Sequence, residues 1–127
     1  MEVKENVLVI SDHIFAEAVN VVFTDNINES IKLQSEYHKI DPKPYLTSPN
    51  TSGVVCHVYE QDYRATWVLF DINKVDEGVI VHEVIHIVFN ILTIREINHV
   101  LETDEVFAYT TQWFFNKIFD FWNEITN

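Results

Sequence analysis

Glycine, proline and cysteine are all scarce in this chain. Two glycines in 127 residues leave little room for turns that need positive φ, and the three prolines all fall between residues 42 and 49. Such a sequence predicts mostly regular structure with one irregular stretch. The single cysteine, Cys56, excludes an intrachain disulfide and fits a reducing compartment. We expect it to be a buried small hydrophobe in a strand. Cations are few as well: eight Lys and Arg stand against twenty Asp and Glu, for a formal net charge of −12 and a pI near 4.7. A surface this acidic repels phosphate backbones and anionic lipid, so neither nucleic acid nor a membrane is expected as a partner. The N-terminus, MEVKENVLVISD, shows no small-residue cleavage pattern. The chain therefore reads as cytoplasmic rather than secreted. Long hydrophobic runs are missing too. Residues 79–94 are apolar but carry two His, a Glu and an Asn, which predicts a core helix buried on most sides rather than a bilayer span.

What the chain does have is apolar mass. Hydrophobic residues make up 47% and aromatics 13%, enough for one domain over residues 1–127. Residues 7–10 and 19–24 read as strands, with Ser11-Asp12-His13 as the turn between them. Asn26 followed by Glu29 resembles a capping box and starts a helix over 26–39, with Ile27, Ile31, Tyr37 and Ile40 as its inner face. Residues 41–53 form a loop that serves either as a plain connection or as a functional rim. Residues 54–60 and 66–71 read as an antiparallel hairpin. Asp76 is placed to cap a helix that runs to residue 91 or 92, and Thr103 to cap a last helix over 104–123. Phe107, Phe114, Ile118 and Phe121 follow helical spacing on that last helix. Its other aromatics exceed one face. Phe115, Phe119 and Trp122 are expected to be exposed and to mark a homodimer or protein-partner contact. The fold class is α+β: a small, mostly antiparallel sheet of three or four strands with three helices.

The chemistry concentrates in Val81-His82-Glu83-Val84-Ile85-His86. On a helix, His82 and His86 project from one face and can grip a single Zn²⁺. Glu83 then sits where a carboxylate can take a proton from a polarised water. Catalytic zinc keeps three protein ligands and one open position. Glu105, after eighteen intervening residues, is the leading third ligand, with His99, Glu102 and Asp104 as rivals. Asn90 and Asp104 are candidate acceptors for the outer N–H of a ligating histidine. His13, His38 and His57 have no partner spacing and read as surface or satisfied histidines.

HEVIH, eighteen residues and then DEVFAY resemble the gluzincin zinc peptidases. The match covers about residues 79–110. The chain is also similar to small metallopeptidase-like proteins encoded by phages and prophages, which combine a short α+β domain with these two segments. The resemblance implies a minimal zincin-like domain, His82, His86 and Glu105 as zinc ligands, and Glu83 as the general base. It implies a peptide or protein substrate, added as a strand to the sheet edge beside the motif helix, which is 66–71 if that strand is the edge; the sequence does not say which strand is. Three departures stand out. No Gly-x-Met-Glu-Asn segment precedes the motif, so aminopeptidase-like recognition of an N-terminus is not supported. The downstream domain that gives larger members a transition-state Tyr or His is not expected here. Tyr109 stands where thermolysin-like members have Asp, and reads either as a packed aromatic or as a hydrogen-bond donor to a ligand or to the oxyanion. The metzincin pattern fails, because the position six after His86 is Leu92. The alternative to a peptidase is a non-catalytic, zinc-stabilised phage structural or partner-binding protein.

Overall fold

In the computed structural model, residues 2–11, 18–60, 62–98 and 101–127 are described. His13 and the rival ligand His99 lie outside them. Two strands open the chain, β1 (Glu5–Ser11) and β2 (Ala18–Thr24), paired antiparallel. Helix α1 (Ile27–Tyr37) follows, then a 3₁₀ turn at Lys43–Tyr45. Strands β3 (Gly53–Glu60) and β4 (Tyr63–Asp71) make the expected antiparallel hairpin. Helix α2 (Glu77–Ile94) carries the motif, and α3 (Asp104–Thr126) ends the chain. The sheet order is β1-β2-β4-β3, with β2 and β4 parallel at its centre. The α+β class and a mostly antiparallel sheet are borne out; the parallel central pair is the added detail.

Why the central strands read as nearly continuous apolar runs is now plain. Both their faces are covered. Val19, Val21 and Phe23 of β2, with Val68 and Phe70 of β4, face α2 and α3. Val22, Trp67 and Leu69 face the opposite way, into a second core with Ile27 and Ile31 of α1. The side-chain period of two places alternate residues in the two cores.

Of the three expected caps, Asn26 and Asp76 make their side-chain bonds. Asn26 Oδ1 accepts from Glu29 N at 3.1 Å and Asp76 Oδ1 from Val79 N at 2.9 Å. Thr103 stands at the N-cap of α3 as expected but makes no side-chain cap bond; its hydroxyl donates to the Asn98 carbonyl, and a 3₁₀ turn, Leu101–Thr103, leads into the helix. On α1 the buried residues are Ile27, Ser30, Ile31 and Ser35, and Tyr37 is 81% exposed. Six residues after Ile31, Tyr37 lies about 120° round the helix and leaves the apolar face. His38 takes the inward place and stacks on Tyr63, ring centroids 3.7 Å apart.

Helix α2 is 18 residues long and apolar enough to cross a membrane by length and composition. In this fold it is buried along one face, through Ile80, Glu83, Val84, Ile87, Val88, Ile91 and Leu92, while Val81, His82, His86 and Phe89 are exposed. It is thus a one-sided core helix, not one buried on most sides. Phe115, Phe119 and Trp122 are partly buried and pack against the same core, so the expectation that they stand exposed is corrected. A 23-residue helix laid along α2 has more than one side in apolar contact, and its surplus aromatics pack on each other: Phe115 stacks on Phe119 at 5.4 Å and Phe119 meets Trp122 edge-on at 5.8 Å.

Cys56 is buried in β3 as expected, on the α1 side. Burial, and secondarily the Glu83 carboxylate, push its thiol up to about 12. The thiolate is the reactive form. Native protein is therefore expected to resist iodoacetamide at pH 8, and urea-unfolded protein to take up one adduct. Intact-protein mass spectrometry reads both; rapid labelling of native protein would contradict the burial.

Candidate metal centre

Helical spacing alone brings His82 and His86 together. Their Nε2 atoms are 3.2 Å apart and their ring planes meet at 75°. That contact is of hydrogen-bond length, with one ring donating and the other accepting. It is also close to what one ion demands. Two nitrogens bound tetrahedrally to zinc, each about 2.0–2.1 Å away, stand roughly 3.3 Å apart. The two imidazoles need to move little to present both lone pairs to one ion. Glu83 belongs to the same group, since ligand atoms of His82, Glu83 and His86 all lie within 4.8 Å of one another. Two imidazoles suit zinc as donors, and Glu83 stands beside them, where a base rather than a third ligand is needed.

Glu83 differs from the histidines in burial. One residue on from His82, it turns toward β3 and is only 5% exposed. Gly53 makes room for it. A Cβ on Gly53 would stand 2.9 Å from Val79 Cγ1, 3.1 Å from Glu83 Cγ and 3.1 Å from Phe70 Cδ1. Burial raises the Glu83 carboxyl above its ordinary value, and His82 and His86 act in the opposite direction. Desolvation is the larger influence, so this carboxylate holds a proton more readily than a surface one. A cleft of about 400 Å³ opens beside it, lined in part by Gly53, Gly78, Val79, His82 and Glu83. Both glycines of the chain border this one space.

The other expected site residues are placed less tightly. Glu105 is exposed in the first turn of α3 and stands outside the His82–Glu83–His86 group. Its helix is nevertheless close. Phe107 packs on Phe89 at 4.9 Å, which sets the start of α3 beside the turn of α2 that follows His86. Tyr109, one turn after Glu105, is 67% exposed. Glu102 and Asp104 are exposed as well. Asn90 donates to Tyr59 Oη at 2.8 Å, so it ties α2 to β3. The sheet edge beside α2, left open by the sequence, is β3; residues 66–71 belong to β4, which is paired on both sides.

One residue was passed over in the sequence. His57 lies on β3 with Gly53 and Tyr59, on the side that faces α2, and interacts electrostatically with His86. Its Nδ1 is buried without a hydrogen-bond partner. Burial, and then His86, lower its pKa from 6.5. The signal was the strand's period of two: a histidine four residues after the glycine that admits the motif helix is on the same face.

No family model matches this chain, and neither a curated protein nor a solved structure matches it.

Proposed function

We propose that this chain is a minimal gluzincin-like zinc peptidase that hydrolyses a peptide bond. The observation that carries the reading is the His82–His86 nitrogen pair, 3.2 Å apart, with the buried Glu83 carboxylate beside it at the edge of a cleft. His82, His86 and Glu105 would hold Zn²⁺, which when bound polarises the scissile carbonyl and acidifies a water. Glu83 takes the proton of the attacking water and passes it to the departing amine. Its burial suits that task, since a carboxyl whose pKa desolvation raises takes up a proton more readily than a surface one. The free edge of β3 offers backbone groups on which an extended substrate pairs as an added strand. Tyr109 is the candidate donor to the oxyanion.

Metal content tests the reading. Protein purified without a metal-binding tag is expected to hold about one zinc per chain. Glu105→Ala should weaken zinc by more than the roughly 10–100-fold that loss of an outer partner costs. Unchanged affinity would remove Glu105 from the ligand set; no zinc in the wild type, and no thermal shift when it is added, would sink the reading. A second reading draws on the exposure of Glu105 and Tyr109: a protein that binds zinc for stability without catalysis. It is favoured if zinc raises Tm and no peptide in a mixed library is cleaved.

A further inference from the structure

His57 has no role in the chemistry above, and it lies where a role is open. Helix α2 is fixed to β3 at two places. At one, Gly53 admits Val79 and Glu83. At the other, Asn90 donates to Tyr59 Oη at 2.8 Å. His57 falls between these points on the same strand face, alongside the helical stretch that carries His86. Its electrostatic neighbour is His86. Its Nδ1 is buried and unpartnered, and few buried polar atoms in a folded protein are left so. The other two such atoms among the described residues, Glu5 Oε2 and Ser35 Oγ, belong to β1 and α1.

His86 has the matching need. Its Nε2 is the nitrogen turned to His82 Nε2. An ion held there leaves the proton of His86 on Nδ1, and a ligating histidine normally donates that N–H to an acceptor that fixes its tautomer and orientation. We infer that His57 is this acceptor: a positioning residue, donated by β3, that takes the outer N–H of His86 and holds the imidazole ready for the ion. A neutral imidazole protonated at Nε2 offers Nδ1 as a lone pair, so the pairing needs no third group. The arrangement ties the edge strand that would carry a substrate to the metal ligand itself. The inference rests on the zinc reading above.

Zinc affinity of the full chain, measured by competition with a chromophoric chelator, tests it, with cobalt(II) absorption as a second readout. His57→Phe keeps the bulk and removes the acceptor; His57→Gln keeps a carbonyl acceptor. Expected are a roughly 10–100-fold weaker affinity for Phe, recovery to within about threefold of wild type for Gln, and an unchanged cobalt spectrum in both. If Phe does not fold by circular dichroism, His57→Leu makes the same comparison. Wild-type affinity in the acceptor-free variant overturns the inference and leaves the zinc reading intact. Equal weakening in Gln and Phe, or a changed cobalt spectrum, overturns it in favour of packing or direct ligation. A wild-type chain that binds no zinc overturns the reading beneath it.

Discussion

Glu83→Gln is expected to abolish hydrolysis, by about 10²–10⁴-fold, while zinc content stays at the wild-type level. The substitution keeps the size of the side chain beside Gly53 and removes the one atom set that can accept a proton there. Cleavage of a peptide library and elemental analysis of the same preparation separate the two effects. A variant that cleaves as fast as wild type would show that Glu83 is not the base. The same change should also alter stability. The folded-state pKa of Glu83 is raised, chiefly by burial. A raised acid pKa favours the folded state most below the ordinary value of 4.5, and that advantage is lost as pH rises through the folded value. Chelator-treated wild type should therefore lose Tm across that window relative to Glu83→Gln, and the variant should be the more stable at pH 7. Parallel pH profiles of the two proteins would contradict the assigned burial cost.

Gly53→Val is expected to destabilise the protein by prising α2 from β3. Its Cβ would meet Val79 at 2.9 Å, closer than side-chain carbons approach, and Glu83 and Phe70 at 3.1 Å, tighter than most such contacts. Phe70 is fully buried and stacks on Phe23 at 4.9 Å, so it cannot give way cheaply. The relief must come from α2 moving off β3. Overpacking of this kind costs about 1–3 kcal/mol, and the two branch methyls set the expectation at the upper end. At roughly 4 °C per kcal/mol, thermal unfolding should shift down by about 10 °C. Zinc affinity should fall with it, since the carboxylate and both histidines ride on the displaced helix. Gly53→Ala combined with Val79→Ala removes the closest contact and should recover part of the loss. A Gly53→Val protein as stable as wild type would show that the helix does not approach the strand as described.

The candidate site was half legible. His82, Glu83 and His86 sit together because one helix holds them, and helical spacing is a local property. Asp76 as the cap of that helix, Asn26 as the cap of α1 and the β3–β4 hairpin were readable for the same reason: each depends on residues a few positions apart. Tyr37 shows where local reading slips. It is apolar and near the right spacing, yet one residue further on His38 meets the sheet and stacks on Tyr63. Thr103 is a suitable cap by type, but the Asn98 carbonyl takes its hydroxyl.

The sequence by itself determined the α+β class, the order of elements and the pairing of two imidazoles with a carboxylate on α2. Only the tertiary structure decided that β4 lies inside the sheet and β3 at its edge, that Glu83 is buried against Gly53, that Phe115, Phe119 and Trp122 pack inward, and that the Nδ1 of His57 is buried on the face of β3 turned to α2. The physical reason is range. Spacing along a helix or strand fixes geometry between neighbours. Which strand faces which helix follows from how two apolar faces of one sheet are shared among α1, α2 and α3, and no window of sequence contains that choice.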